Sequence, residues 1–180
     1  LGAAGDGGML TTNDQDIYKK LLMLRDYGRV SKYEHSILGY NARLDTLQAA
    51  ILRVKLRKLK LWNNLRRKIA KVYDRLLGSL DEVIIPYTLP SVRHVYHVYA
   101  IRIKNRDEVY ARLIDQGVGV IIHYPIPLHL QKVYDNLGYK KGSFPVSEKI
   151  AQGIISLPMH PYLKEKEIKF IVCAIKESLK

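Results

Sequence analysis

Three stretches of this sequence hold side chains whose types and spacing could do chemistry. The first is "LGAAGDGG" at the start, with Gly2, Gly5, Gly7 and Gly8 around Asp6. Glycines at this density suit positive φ or a close approach of backbone to a ligand. No strand is visible before them, so a plain turn is the better reading and a phosphate cradle the weaker one. The second is "LGYNARLDTLQAA". Here Asn41 and Arg43 stand just before a helical pattern, so an amide, a guanidinium and a helix N-terminus could meet an oxyanion together. The competing reading is that Asn41 caps a turn and Arg43 pairs with Asp45. The third is "IIHYPIPLHLQKVY". His123 and Tyr124 end an apolar strand directly before Pro125, with His129 a few residues on. Such a group could bind a polar substrate or move protons. Histidines satisfied inside the fold are the alternative, more so for His129. No carboxylate or thiol lies at ligand spacing, so no metal site is expected. His94, His97 and His160 read as isolated histidines of strands and turns. No nucleophile stands beside a base, and no P-loop or G-x-G-x-x-G turn is present.

These residues need elements to hold them. "GMLTT" reads as a short strand, and Asn13 or Asp14 caps a helix through "QDIYKKLLMLRDYG", ended by Gly28. A long polar connection leads to Asn41. One very long helical pattern then runs from about Leu44 to about Leu77, with Leu47, Ile51, Val54, Leu61, Leu65, Ile69, Val72 and Leu76 as its stripe. Asp45 suits the positive end of that helix. The length suggests a connector between two units. Beyond it, "DEVIIP", "VYHVYAIRI", "VGVIIHY" and "SLPMHPYL" read as strands. "NRDEVYARLIDQG", "FPVSEKIAQGII" and "KEKEIKFIVCAIKESLK" read as helices, the first capped by Asn105 or Asp107 and the second near Ser147. The alternation points to an α/β or α+β unit.

The 180 residues are 47% hydrophobic and 26% charged, enough for a sizeable core and one domain or one and a half. A single cysteine, Cys173, excludes a disulfide framework and fits a reducing compartment; its place in an apolar helix predicts a buried, inert thiol. No apolar run reaches the roughly 20 residues of a membrane span, and no signal peptide is seen, so the cytoplasm is expected. The net charge of +13 is concentrated between Arg53 and Arg75. A solvated helix face accounts for it; a nucleic-acid module would need a known fold or stacking aromatics, and nucleic acid is not an expected partner.

Taken in order, "LGAAGDGGMLTTND", "RDYG", "LGYNARLDTLQAAILRVKL", "HYPIPLHLQ", "LGY" and "SEKIAQGIISLP" resemble the DegT/DnrJ/StrS family of sugar aminotransferases, from Leu1 to at least Pro158. The resemblance implies pyridoxal 5′-phosphate as cofactor, a nucleotide-linked keto sugar as substrate and glutamate as amino donor. Its setting would be cell-surface polysaccharide or deoxyaminosugar biosynthesis. It implies an α/β fold: the C-terminal portion of an aspartate-aminotransferase-type (fold type I) enzyme. Residues 1–43 would be the end of the large cofactor domain, 44–78 the long linking helix, and 79–180 a small α+β domain.

The family's Schiff-base lysine stands in a Lys-Asn-Leu-Gly run whose end matches Leu1 and Gly2. The resemblance therefore places that lysine upstream of Leu1, so the chain alone is not expected to run transamination. Asn41 matches an asparagine that reaches the cofactor phosphate of the partner subunit in a homodimer, and Arg43 the arginine that follows. His123 and Tyr124 match a strand-end pair near the sugar site, with His129 in the same loop. Asp6 is read as structural. Two alternatives stay open: a dehydratase of the same family, which carries histidine in place of the lysine, and a split, non-catalytic relative that binds a ligand or partner. Separated from a larger sheet, the chain would expose apolar surface and self-associate.

Overall fold

A computed structural model describes all 180 residues and divides them into two compact units, Leu1–Lys60 and Leu61–Lys180.

In the first unit, Asp14 begins helix α1 (Gln15–Leu24): its Oδ1 accepts the backbone N–H groups of Asp16 and Ile17 at 2.8 and 2.9 Å. That satisfies two of the four donors a helix start leaves orphaned. Irregular chain follows, and then α2 (Thr46–Leu56). Neither helix buries a side chain fully: Ile17, Leu47 and Val54 of their apolar stripes stay exposed, and Leu21 and Leu24 are half-buried. "GMLTT" forms no strand, because nothing in the unit pairs with it.

The single long helix expected between Leu44 and Leu77 is two helices. α2 ends at Leu56, Arg57 and Lys58 form a turn, and α3 runs Leu59–Leu77. Lys58 sits where the apolar stripe of Leu47, Ile51 and Val54 next needs an apolar residue. Arg53–Arg57, Lys55–Lys58 and Arg57–Lys60 also set like charges three or four apart, which weakens a helix. The Lys58 N–H turns back to the Lys55 carbonyl at 2.9 Å, a tighter loop than the α-helix makes.

The second unit is built on a three-stranded antiparallel sheet in the order β1-β2-β3: β1 (Val83–Ile84), β2 (Tyr99–Ile103) and β3 (Ile154–Leu157). Val83 pairs with Ile103, and Tyr99 with Leu157. β2 keeps period-2 alternation: Tyr99, Ile101 and Ile103 are buried and the residues between are half-buried. Around them pack Ile69, Ala70, Tyr73 and Leu77 of α3, Val109 and Leu113 of α4 (Arg106–Asp115), and Ile168, Ile171, Val172 and Ile175 of α6 (Glu165–Ser178). Each fully buried aliphatic side chain is worth about 1.5–3 kcal/mol.

The Tyr73 and Tyr99 rings stack at 4.8 Å, and both hydroxyls are paired: Tyr73 donates to the Pro158 carbonyl at 3.0 Å and Tyr99 to Asp74 Oδ1 at 2.6 Å. Burial pushes both phenols above their ordinary range, with the Asp74 bond adding to the effect at Tyr99. The Arg66 guanidinium of α3 donates to the Tyr96, His97 and Met159 carbonyls, tying two loops to the helix; burial lowers its pKa.

Other local expectations shift. "VGVIIHY" is reduced to one bridge, Ile121 with Ser156. α5 spans Pro145–Gly153 and starts at Phe144 with Pro145 in its first turn, not at Ser147. α4 starts at Asn105, which holds a left-handed φ of 51° and gives no side-chain cap. α1 closes at Arg25, three residues before Gly28. Cys173 is exposed, its Sγ 3.5 Å from Glu177 Oε1. The buried stripe of α6 is Ile168, Ile171, Val172 and Ile175, and position 173 is one step off it.

Candidate functional site

Asn41 and Arg43 lie on a platform made by crossing two short segments of the first unit. Tyr40 N–H donates to the Leu24 carbonyl at 2.7 Å, Tyr27 N–H to Tyr40 at 3.0 Å, and Ala42 N–H to Arg25 at 2.9 Å. The crossing is too close for side chains at two positions. A Cβ on Gly28, whose φ is +74°, would lie 1.7 Å from the Ile37 carbonyl oxygen; one on Gly39 would lie 2.0 Å from Gly28 N. "RDYG" and "LGYNA" are therefore two halves of one structure.

On this platform Arg43 Nε donates to Asn41 Oδ1 at 3.3 Å, lies 3.9 Å from Asp26 Oδ1, and places its guanidinium 5.4 Å from the Tyr27 ring centre. The alternative pairing of Arg43 with Asp45 does not form. Asp45 stands at the N-cap of α2 without a side-chain bond. Locking Nε to Oδ1 fixes the amide: its oxygen is used, and its Nδ2–H₂ has no intramolecular partner. The terminal nitrogens of Arg43 are likewise undonated. The pair thus offers convergent, charge-assisted donors beside a helix start, the donor set a phosphate takes. The opening turn is held by the same unit: Ala4 N–H donates to Gln48 Oε1 at 2.9 Å, and Lys55 Nζ donates to the Gly2 carbonyl. Asp6 is exposed.

In the second unit, Ile121 and Ser156 exchange two backbone hydrogen bonds at 3.1 and 2.8 Å. His123 follows two residues later, with Nδ1 2.8 Å from Ser156 Oγ. Tyr124 has a left-handed φ of 57°, unusual for a large side chain and directly before Pro125, and is 82% exposed. The two rings lie 6.2 Å apart. His129 is placed differently. Its Nε2 is 2.9 Å from Glu148 Oε1, with side chains only 7% and 11% exposed, and its ring packs edge-on to Phe144. Glu148 also accepts the Gly142 and Phe144 backbone N–H groups. Desolvation pushes the Glu148 carboxyl up; the Gly142 bond, the His129 bond and the Phe144 bond outweigh it and hold the group below its ordinary value. This bond joins the Leu128–Leu130 turn to α5, the structural role left open for His129.

A cleft of about 230 Å³ adjoins this loop, lined in part by Pro125, Ile126, Pro127, Lys141 and Gln152. A larger one of about 390 Å³, between Gly117–Gly119 and the Lys166–Ile171 face of α6, holds none of the expected residues. Two residues escaped the sequence reading: Ser156 and Glu148, the partners of the two histidines. A lone hydroxyl inside the apolar "GIISLP" was the available signal for Ser156. No three His, Cys, Asp or Glu side chains gather at metal-binding distance.

Known proteins resemble this chain along nearly its whole length. The chain is 48% identical over 179 residues to the pleiotropic regulatory protein of Geobacillus stearothermophilus, covering 98% of this chain and 48% of that protein. It is 37% identical over 177 residues to the dTDP-3-amino-3,4,6-trideoxy-alpha-D-glucose transaminase of Streptomyces venezuelae, covering 98% and 47%. Among solved structures, S. venezuelae DesV superposes with a TM-score of 0.88 at 36% identity, over 92% of this chain and 45% of that one, an α/β aminotransferase fold. The chain thus spans about half the length of the curated relatives it matches. The family model describing DegT/DnrJ/EryC1/StrS aminotransferases matches residues 1–176, and the chain belongs to that family.

Proposed function

We propose that this chain is part of a pyridoxal 5′-phosphate-dependent aminotransferase acting on nucleotide-linked keto sugars, with glutamate as donor, working as a cytoplasmic homodimer. The observation that carries the reading is the Asn41–Arg43 pair: fixed by a glycine crossing, joined by one hydrogen bond, with its remaining donors free. That donor set fits the cofactor's phosphate. Bound, the cofactor would supply the electron sink for moving an amino group to the sugar. Asn41 Nδ2 and the Arg43 terminal nitrogens would hold its phosphate, the asparagine reaching the cofactor bound by the partner subunit. His123 and Tyr124 would face the sugar from the end of the short bridge, and His129, through Glu148, would set the shape of the loop beside them. The group that forms the covalent link to the cofactor is assigned to none of these residues.

On this reading residues 1–43 belong to the cofactor domain of a fold type I enzyme, 44–78 to the linking segment and 79–180 to the small C-terminal domain. The division between the two compact units at Lys60 falls inside that linking segment. No helix is long and apolar enough to cross a membrane. The test is an assay of the complete gene product that contains this chain. With pyridoxal 5′-phosphate, glutamate and a dTDP-linked keto sugar, mass spectrometry should show an amino sugar and 2-oxoglutarate. A dehydrated sugar, or no turnover with cofactor bound, overturns the reading.

A further inference from the structure

We infer that Ser156 is a positioning residue that locks His123 in one tautomer, with the proton on Nε2, so that His123 meets its ligand as a hydrogen-bond donor. The second half of this inference rests on the proposed place of His123 at the sugar site. Ser156 is 4% exposed, in the middle of β3. Its backbone N–H and carbonyl are both used by Ile121. Its hydroxyl meets one partner, His123 Nδ1 at 2.8 Å.

A hydroxyl can donate or accept, and an imidazole nitrogen can do either, so the direction follows from what each choice leaves behind. If Nδ1–H donated to Oγ, the serine proton would have no acceptor and too little water to find one. A buried donor without a partner is penalised, whereas an oxygen with a spare lone pair is not penalised to the same degree. The serine therefore donates, Nδ1 accepts, and the ring proton sits on Nε2. Nε2 has no intramolecular partner and is left to face a ligand. In this state the outward nitrogen carries the ring proton. It suits an acceptor oxygen: a sugar carbonyl or hydroxyl, or a phosphate oxygen. Tyr124, with its left-handed backbone and exposed ring, adds a hydroxyl beside the same bridge.

The test is nitrogen NMR of ¹⁵N-histidine-labelled protein at about pH 8.5, some two units above the ordinary imidazole value of about 6.5. The His123 signals are assigned by their loss in His123→Gln. The Nε2–H tautomer should exceed the Nδ1–H form by about tenfold or more. Ser156→Ala should lower the ratio to the modest Nε2–H preference of a free imidazole, and Ser156→Thr, which keeps the hydroxyl, should restore the lock. A predominant Nδ1–H form in the wild type, or a ratio unchanged in Ser156→Ala, overturns the inference without needing any variant to be active. Adding dTDP-glucose separates this from the proposed function. A locked ring whose Nε2 signal moves on titration supports both. A locked ring indifferent to the nucleotide sugar supports the serine's role and overturns the placing of His123 at the sugar site.

Discussion

Replacing Gly39 by alanine should dismantle the platform under Asn41 while leaving the second unit intact. The added Cβ would lie 2.0 Å from Gly28 N and 2.5 Å from Tyr27 C, both backbone atoms that cannot swing aside. Reaching ordinary contact at 3.4 Å requires the two segments to part by about 1.4 Å. The Tyr27–Tyr40 and Tyr40–Leu24 hydrogen bonds, now 3.0 and 2.7 Å, do not survive such a separation. Two backbone bonds at about 1 kcal/mol each, plus about 1–3 kcal/mol of overpacking, put the local loss at about 3–5 kcal/mol. Native-state hydrogen exchange reads this directly. The Tyr27 and Tyr40 amides should exchange at least about a hundredfold faster in Gly39→Ala, while the Ile101 and Ile155 amides of the sheet keep their protection. Gly8→Ala is the control, since a Cβ there meets nothing within 4 Å. Equal protection at Tyr27 and Tyr40 in wild type and Gly39→Ala would refute the close-crossing account of this platform.

Four more outcomes follow from the same structure. Lys58→Leu should complete the apolar stripe and remove the Lys55–Lys58 like-charge contact, raising helical circular dichroism by joining α2 to α3; an unchanged signal would show that something else holds the turn. The Glu148 carboxyl is held below its ordinary value, so its contribution to stability is fully present above the unfolded-state value and is lost as pH falls through the folded one; Glu148→Gln should flatten the acid limb of a urea-midpoint-against-pH curve. Tyr99→Phe should cost about 1 kcal/mol in denaturant unfolding through loss of the Asp74 bond. With the Tyr73 and Tyr99 phenols raised, their contribution is fully present below the ordinary value of 10.0 and is lost as pH rises beyond it; in ultraviolet titration the phenolate absorbance of these two of the 13 tyrosines should appear only with unfolding.

Features carried by neighbouring residues were legible in the sequence. Asp14 caps α1 as its spacing to Ile17 requires, and α4 and α6 fall where their apolar periods place them. The motifs around Asn41 and His123 are legible as local combinations of polar side chains with a helix start and an apolar run. What stayed hidden depends on residues far apart in the chain. His123 and Ser156 are separated by 33 positions, His129 and Glu148 by 19, and no local pattern marks either pair. The reduction of "VGVIIHY" to a single bridge has the same origin, because strand length is set by what pairs alongside. Lys58 interrupts the apolar stripe of Leu47, Ile51 and Val54, and Cys173 is off the buried face that Ile168, Ile171, Val172 and Ile175 define. The interrupted helix and the exposed thiol both follow from counting residues around the helix.

A crystal structure of the complete gene product grown with pyridoxal 5′-phosphate tests the oxyanion role of Asn41 and Arg43 most directly. The cofactor's phosphate should lie within hydrogen-bond distance of Asn41 Nδ2, with Arg43 Nε still on Asn41 Oδ1. A cofactor bound with its phosphate on other groups, and Asn41 left facing water in both subunits, would contradict it.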